Sequence, residues 1–430
     1  MFADLPLQEQ LEAWLGPDAC RPVEPRTTGD VLVLEAKLDH YAFVAVAFDY
    51  TRQHGSIGPR EATQLALALD RATTARMPLV FLMNTSGMRV TEGMETVVAL
   101  RRLLRALLDA KLSGQRMFAT VTRYAFGGAS IIASLCDRRT MHADALLGMS
   151  GPKLIENIAG SAALRAADRN AVRALLGGAA RAAVTPTTTL CEDLPGTYRD
   201  ALSAWLVAPP AAAGPDEAIA AQARLLRARL GDRALAPSQR VAPDALDATT
   251  VRVLARWLGN DAVVARSGAF LSARASGDDT AIAFGLVGGA VATAPLACAL
   301  ADGLLGAAQG RSPLRIAILA DVENHSADPA DEAVVLSEYL AHLALTLRWV
   351  HRCGHEVHVI VTGVAGGGIF AALAAGATRV SMLPHARIQV LSPAALAALD
   401  KRADGATETL AAALAAGAID SSFGPVQAHV

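Results

Sequence analysis

Short apolar segments alternate with amphipathic segments along most of the chain, and this alternation predicts strands followed by helices. In the first half, runs rich in β-branched and aromatic residues predict strands at 31–34, 43–48, 79–83, 117–122 and 139–142. Apolar positions spaced three and four apart predict helices at 59–76 and 93–111. Regular alternation of this kind is typical of a layered α/β fold.

The same order of elements returns in the second half of the chain. Strands are predicted at 314–320, 356–361 and 377–382, with a helix at 330–353 between the first two. The offset between the halves is about 240 residues, too long for a solenoid repeat, so it indicates two homologous domains. We therefore predict an N-terminal domain at 1–206, an Ala- and Pro-rich linker with a helical insert at 207–244, and a C-terminal domain at 245–430.

The composition supports two folded cores and excludes several partners. Of the 430 residues, 52% are hydrophobic, which excludes a disordered chain. The formal net charge of -2 provides no global field for nucleic acid or an anionic membrane, so we expect neither as a partner. Five scattered cysteines without a CxxC pair, and the lack of a signal-peptide pattern, lead us to expect a cytoplasmic protein.

Two long uncharged runs, at 280–301 and 359–378, have the length of a membrane span. Glycine or proline interrupts each run near its middle, and much of the remainder is alanine. A strand, a glycine turn and a buried helix fit these features better than one membrane helix.

The candidate catalytic groups are backbone N–H groups at positions where strands end in small residues. A strand that runs through Gly-Gly into a helix presents unpaired backbone N–H groups at the positive end of the helix dipole. Such donors stabilise a developing oxyanion, and glycine lets a substrate approach the backbone. In the first half, Gly127-Gly128 is one such corner and the loop at 84–89 is a second; the turn at 365–368 repeats the first.

At these residues the chain resembles the acyl-CoA carboxyltransferases of the crotonase-like superfamily. The first half is similar to the β subunit of biotin-independent malonate decarboxylase and, more distantly, to the carboxyltransferase β subunit of acetyl-CoA carboxylase, through the segments at 84–92, 125–130 and 147–156. The second half, at 314–399, is similar to the γ subunit of the same decarboxylase, through the segments at 363–370 and 388–393. The resemblance implies β and γ subunits fused in one chain, with two crotonase-like domains forming a pseudo-dimer.

The resemblance also implies roles for particular residues. Backbone N–H groups around Gly87 and Met88, with those of Gly127 and Gly128, would hold the thioester carbonyl. Glu92 is the acid–base candidate from its place in the motif, and His325 is a candidate proton donor after a strand of the second domain. The expected substrate-binding residues are Ser86, Arg89, Phe126, Ala129, Ser150, Gly151, Gly366, Gly367 and Gly368.

Some residues depart from the family pattern or have simpler interpretations. Ser86 stands where the family has a glycine, and Gly366-Gly367-Gly368 replaces a Ser-Gly, which removes a hydroxyl. Arg89 could form an ion pair with Glu92 at the start of a helix instead of orienting substrate. A possible metal site is more simply interpreted as side chains that diverge from one another; its residues are His351, Cys353, His355 and His358. A possible docking surface for an acidic carrier protein is more simply interpreted as a solvated helix face; its residues are Arg224, Arg227, Arg229 and Arg233.

The resemblance implies decarboxylation of a malonyl thioester to the acetyl thioester, and the backbone donors suit the enolate that this reaction forms. The resemblance implies malonyl-CoA or a malonyl acyl carrier protein as substrate, CoA or phosphopantetheine as the carrier, a homo-oligomer, and no metal, redox cofactor or biotin on this chain. Two alternatives stay open. One is a carboxyltransferase subunit that takes CO2 from carboxybiotin on another protein, and the other is a catalytically altered scaffold that binds a carrier protein.

Overall fold

The computed structural model describes residues 1–23, 30–210, 213–277, 280–309, 312–399 and 407–424. The chain divides into two compact units. The first consists of residues 1–89, 102–215 and 327–338, and the second of residues 90–101, 216–326 and 339–430. Each unit therefore includes a short segment from the other half of the sequence.

The elements from the N-terminus to the end of the first sheet follow the predicted order, and most strands are longer than predicted. They are α1 (Leu7–Leu15), β1 (Cys20–Pro22), β2 (Val31–Leu38), β3 (Tyr41–Phe48), α2 (Pro59–Thr74), β4 (Leu79–Thr85), α3 (Gly93–Leu112), β5 (Met117–Phe126), α4 (Gly128–Leu135), β6 (Arg138–His142), β7 (Leu146–Gly148), α5 (Pro152–Ala159), α6 (Arg169–Leu176), α7 (Gly178–Val184), β8 (Thr188–Cys191) and α8 (Pro195–Val207).

The sheet of the first unit has the order β1-β2-β3-β4-β5-β6-β8, and β7 also pairs with β5. The strands from β3 to β8 are parallel, whereas β1, β2 and β3 pair antiparallel at one side. Parallel strands bury both faces, which explains the nearly continuous apolar runs of β3 and β4. Because β4 and β5 are parallel neighbours, their carboxyl ends meet at one edge of the sheet, where the predicted glycine corners lie.

The remaining elements build the second sheet and its helices. They are α9 (Pro215–Leu230), β9 (Gln239–Val241), α10 (Ala248–Leu258), β10 (Val263–Ser267), β11 (Phe270–Arg274), β12 (Ala281–Ala292), α11 (Ala294–Ala308), β13 (Arg315–His325), α12 (Pro329–Ala333), α13 (Leu336–Arg352), β14 (Glu356–Gly366), α14 (Gly367–Gly376), β15 (Arg379–Met382), β16 (Arg387–Gln389), α15 (Pro393–Ala398), β17 (Thr407–Glu408), α16 (Leu410–Ala416) and β18 (Ser421–Ser422).

The second sheet repeats the central arrangement of the first. Its order is β17-β16-β14-β13-β12-β11-β10-β9, with β15 pairing with both β14 and β18. Strand β14 pairs in parallel with β13, β15 and β16, as β5 does with β4, β6 and β7. The prediction of two α/β domains with the same order of central elements is thereby confirmed.

Two predicted segments differ from the structure. The helix expected at 330–353 is two helices, α12 and α13, because Val335 adopts a left-handed φ of 64° between them. A β-branched residue is strained in that conformation, so surrounding contacts must hold it there. The segment predicted as a linker with a helical insert contains the helix, α9, and also a strand that was not predicted, β9, which pairs with β10 at the edge of the second sheet. The longest continuous part of the second unit begins within this segment, at Asp216.

The uncharged runs have the predicted local structure. The first contains β12 and the start of α11, and the second contains most of β14 and all of α14. In the described parts of the chain, no helix is both long and apolar enough to cross a membrane.

Candidate active site

The first corner is the loop after β4, and hydrogen bonds to the segment at 54–57 hold it in place. The N–H groups of Ser86 and Arg89 donate to the carbonyls of His54 and Ile57, at 3.0 and 2.9 Å. The Gly87 N–H donates to Thr85 Oγ1 at 3.0 Å. Within the described residues, Met88 is the member of this loop whose N–H has no protein acceptor. The Gly87 N–H, which was predicted to face the substrate, is therefore already bonded within the protein, and the available N–H is that of Met88.

The second loop of this site is the junction of β5 and α4. Gly127 has a φ of 55°, a conformation that favours glycine, and its N–H donates to the Gly148 carbonyl at 3.1 Å. Gly128 and Ala129 follow in the first turn of α4, where N–H groups have no partner inside the helix. In the described structure neither of these two N–H groups has another acceptor. The available donors here are thus those of Gly128 and Ala129, and not that of Gly127.

Close backbone contact brings the two loops together. A Cβ atom added to Gly87 would lie 2.5 Å from the Phe126 carbonyl oxygen and 3.6 Å from the Gly127 nitrogen. Only glycine permits this approach, and Gly87 also has a left-handed φ of 99°. The loops that carry the Met88 and Gly128 N–H groups are therefore in direct contact, as a paired oxyanion site requires.

Arg89 has a structural position instead of the substrate-binding one expected from the motif. Its side chain is 9% exposed and pairs with Asp30 at 2.8 Å and Glu61 at 3.0 Å. It also donates to the hydroxyl and the carbonyl of Ser56, at 3.1 and 2.9 Å. These contacts join the loop after β4 to α2 and to the start of β2. We therefore assign Arg89 to holding the first corner.

Glu92 and Phe126 differ in exposure. Glu92 is exposed at the end of the short helical turn Val90–Glu92, in a segment that belongs to the second unit, and its acid–base role stays a prediction. The Phe126 ring is half-buried and stacks on Tyr124 with the ring centroids 5.8 Å apart. A Cβ on Gly151 would lie 3.9 Å from this ring, so Phe126 and Gly151 are neighbours.

Ser150, which was expected to bind substrate, has its backbone N–H bonded within the protein, and its role in binding stays a prediction. It is fully buried, and its N–H donates to Glu332 Oε1 at 2.7 Å. Glu332 lies in α12, more than 180 residues further along the chain, yet it belongs to the same unit. Sequence reasoning missed Glu332. An acidic residue in the first turn of a helix is commonplace, and nothing in the local pattern shows that this one is buried.

The corner in the second unit has a similar backbone conformation, but its hydrogen bonding differs. Gly367 has a φ of 61°, and its N–H donates to the Val390 carbonyl at 3.1 Å, as that of Gly127 does to Gly148. The next N–H, that of Gly368, donates to His325 Nδ1 at 3.1 Å. By the internal repeat Gly368 corresponds to Gly128, so a side chain of the same unit occupies the donor that the first corner leaves available.

His325 is held in this position by its neighbours. It is 6% exposed, and its own N–H donates to Asn324 Oδ1 at 2.9 Å. A Cβ on Gly367 would lie 1.8 Å from that oxygen and 2.8 Å from His325 Nδ1, so glycine is required there. Since Nδ1 accepts a hydrogen bond, the ring is neutral and carries its proton on Nε2. The expected binding of substrate by Gly368 therefore conflicts with this contact, whereas the role of His325 as a proton donor stays a prediction.

Two variants separate these roles of His325. We expect His325→Asn to retain the contact with the Gly368 N–H through its amide oxygen, and His325→Ala to lose it. If His325 only occupies the corner, the asparagine variant keeps kcat within about twofold of the original protein. If it is the proton donor, both variants lose about 10²- to 10⁴-fold, the usual contribution of a general acid. The measurement is kcat for release of the acetyl thioester.

The histidine cluster at 351–358 makes structural contacts. His355 Nδ1 accepts from the Leu314 N–H at 3.0 Å. His358 hydrogen bonds with Ser381, lies edge-on to Trp257, and has its pKa lowered to about 4 by burial. His351 Nδ1 lies 3.1 Å from Thr378 Oγ1. Among the described residues, no group of three or more histidine, cysteine, aspartate or glutamate side chains has the arrangement of a metal site.

Part of the arginine-rich surface of α9 is neutralised within its own unit. Arg227 Nη2 lies 2.6 Å from Asp302 Oδ1, and this pairing raises the pKa of Arg227. Docking of a carrier protein on this helix stays a prediction.

Comparison with known proteins finds one family match in each half of the chain. Residues 41–177 match the family model of the carboxyl transferase domain, and residues 295–423 match that of the malonate decarboxylase gamma subunit. The acetyl-coenzyme A carboxylase carboxyl transferase subunit beta of Psychrobacter cryohalolentis is 28% identical over 127 residues, which are 29% of this chain and 40% of that protein. The corresponding subunit of Acinetobacter baumannii is 26% identical over 143 residues, 33% of this chain and 48% of that protein. The chain thus spans less than half the length of these relatives.

Among solved structures, a Pseudomonas malonate decarboxylase hetero-tetramer in complex with malonate is 25% identical, with a TM-score of 0.48, and covers 54% of this chain and 91% of that one. Both matched families take their descriptions from enzymes that transfer or remove a carboxyl group. The chain is therefore similar, in one polypeptide, to a carboxyl transferase domain over residues 41–177 and to the malonate decarboxylase gamma subunit over residues 295–423, as the motifs predicted.

Proposed function

We propose that this chain decarboxylates a malonyl thioester, carried on CoA or on the phosphopantetheine of an acyl carrier protein. The contact of the Gly87 loop with the Phe126–Gly127 backbone is the observation that carries the proposal. It brings together two loops with available N–H groups, on Met88 and Gly128, and we propose that both donate to one thioester oxygen.

The reaction requires little else from the protein. Cleavage of the bond between the malonyl carboxylate and C2 releases CO2 and leaves its electron pair on C2, conjugated with the thioester carbonyl. The negative charge of this enolate resides largely on the oxygen that the two N–H groups face, so they stabilise the transition state more than the substrate. A proton delivered to C2 then gives the acetyl thioester. We propose no metal, redox cofactor or biotin on this chain for these steps.

Incubation of the purified chain with malonyl-CoA, and separately with malonyl acyl carrier protein, tests the proposal. The expected result is release of CO2 and formation of the acetyl thioester with at least one donor, at a rate that chelators and avidin leave unchanged. Absence of acetyl product with both donors would overturn it.

A carboxyltransferase is the second candidate, and the carboxyl transferase match over residues 41–177 favours it. In that case the same donors stabilise the enolate of an acyl-CoA while CO2 arrives from carboxybiotin on another protein. Product formation that depends on an added biotinyl carrier, and that avidin abolishes, identifies this activity.

A carrier-binding scaffold is the third candidate, and occupation of the second corner by His325 favours it. Binding of an acyl carrier protein without turnover of any thioester identifies it.

We also propose a homo-oligomer, which light scattering of the purified chain measures directly. The Pseudomonas relative, by its description, is a hetero-tetramer.

A further inference from the structure

We propose that Glu332 is a positioning residue for the first corner: its carboxylate holds the loop at 148–150 and, through that loop, the donors at Gly127-Gly128. This inference rests on the proposed function, since it concerns the same corner. It predicts that the charge on Glu332 governs the rate of the reaction at that corner.

The carboxylate of Glu332 lies directly against this loop. Oε1 accepts from the Ser150 N–H at 2.7 Å, and the backbone of Met149 also hydrogen bonds with the carboxyl group. A Cβ on Gly148 would lie 2.7 Å from Oε2, so any larger residue at 148 would displace the carboxylate. Glu332 is fully buried, so its charge must be satisfied by groups of the protein.

The loop in turn holds the corner. The Gly148 carbonyl accepts the Gly127 N–H at 3.1 Å, and β7 pairs with β5 through Phe126 and Gly148. Gly127 is the residue whose left-handed conformation turns the chain into α4. A shift of Gly148 therefore rotates the peptide that carries the Gly128 N–H.

Buried partners hold Glu332 in place, although burying its charge and straining the backbone nearby both cost free energy of folding. Arg181, also fully buried, donates to the Glu332 carbonyl at 2.6 Å and to the Leu147 carbonyl at 2.8 Å. One of its nitrogens lies 3.6 Å from Glu332 Oε2. The strained Val335 follows three residues later in the same segment. Backbone strain concentrates where the surrounding structure serves a function.

Glu332 changes charge near neutral pH. Burial raises its pKa from 4.5 to about 7, against the opposing effects of Arg181 and of the backbone N–H groups of Ser150 and Met149, and the buried Asp331 raises it further. On the adjacent α6, Arg173 pairs with Asp144 at 2.8 Å, at an exposed position. The ionised carboxylate binds the loop more strongly, because hydrogen bonds to a charged acceptor are about twice as strong as neutral ones.

The two consequences of this titration have opposite signs. Activity is expected to rise as the pH increases through 7, because the carboxylate then holds the loop. The free energy of unfolding is expected to fall as the pH rises from about 4.5 to about 7. The pKa of Glu332 is higher in the folded state than in the unfolded state, so the extra proton that stabilises the folded state is lost over this range. A stability effect alone would lower activity at high pH, so the two are distinguishable.

The pH dependence of Glu332→Gln tests the inference. The original protein should show kcat for malonyl-CoA rising about tenfold with a midpoint near pH 7, the scale expected for one charge-assisted hydrogen bond. Glu332→Gln keeps the acceptor oxygen but not the charge, so its kcat should be flat and low, with KM nearly unchanged. Glu156→Gln is the matched control, since Glu156 also accepts a backbone N–H, from Ala166 at 3.1 Å, which lies outside the loop at 148–150; its profile should resemble that of the original protein.

A spectroscopic measurement separates failure of this inference from failure of the proposed function. With 15N-labelled glycine, the Gly127 and Gly128 amide signals of the original protein should titrate with a midpoint near pH 7, and should not do so in Glu332→Gln. The same titration in the original protein decides the matter if the variant does not fold. Amide signals that stay constant from pH 6 to pH 8, or a rate midpoint unchanged by Glu332→Gln, overturn the inference, whereas titrating amides in a protein without decarboxylase activity overturn only the function.

Discussion

Replacement of Gly128 by proline is expected to lower kcat by about 10²- to 10³-fold, the effect of removing one donor from an oxyanion site. Gly128 is the first residue of α4, where proline fits a helix and the missing N–H breaks no hydrogen bond of the helix. The substitution therefore removes the proposed donor, and it also adds a ring at a buried position, for which a control is required. Kinetics with malonyl-CoA measure the effect, and circular dichroism checks that the variant is folded.

Gly128→Ala is the matched control for the proline variant, because it adds a side chain but keeps the N–H. We expect it to retain most of the activity. A folded Gly128→Pro protein with the kcat of Gly128→Ala would show that this N–H does not stabilise the enolate. Equal and complete loss in both folded variants would point to a lack of space at position 128 instead.

Replacement of Gly87 by alanine is expected to have the second largest effect, on stability and activity together. The new Cβ would lie 2.5 Å from the Phe126 carbonyl oxygen, in a backbone conformation that alanine disfavours. The conformational strain costs about 1–3 kcal/mol, and forcing two backbones apart adds about 1–3 kcal/mol more. The loops of Met88 and Gly128 should separate, and the reaction should be lost with them.

Gly16→Ala distinguishes these two costs. Gly16 has a similar left-handed φ of 104°, but an added Cβ would have no heavy atom within 4 Å. Urea unfolding of both variants measures the free energy of unfolding, and the excess loss in Gly87→Ala reports the contact between the loops. If the two variants lose equal stability and Gly87→Ala keeps its activity, the contact has no role in the site.

Much of the fold could be predicted because hydrophobic period and turn chemistry are local. The apolar runs of β4 and β5 and the glycines after them determine where strands end and helices begin. The internal repeat predicted two similar units, and both have the same strand pairing around β5 and β14. The break before α13 could not be predicted, because Val335 gives no local signal for a left-handed turn.

The site was only partly predictable, because hydrogen bonding is a property of the assembled structure. Both glycine corners read alike in the sequence, yet the Gly128 N–H has no protein acceptor in the described residues while His325 occupies that of Gly368. Arg89, predicted to bind substrate, is buried between two carboxylates instead. In each case the decisive partner is distant along the chain.

By itself, the sequence determined the α/β class, the duplication, the family resemblance and the two glycine corners, since these depend on short-range patterns that need no partner. The tertiary structure alone decided which N–H groups stay available, because their acceptors come from other loops. It also decided the place of Glu332, whose burial against Gly148 and Ser150 depends on packing between segments far apart in sequence. The raised pKa of Glu332 is a consequence of that burial, so no local sequence pattern could have predicted it.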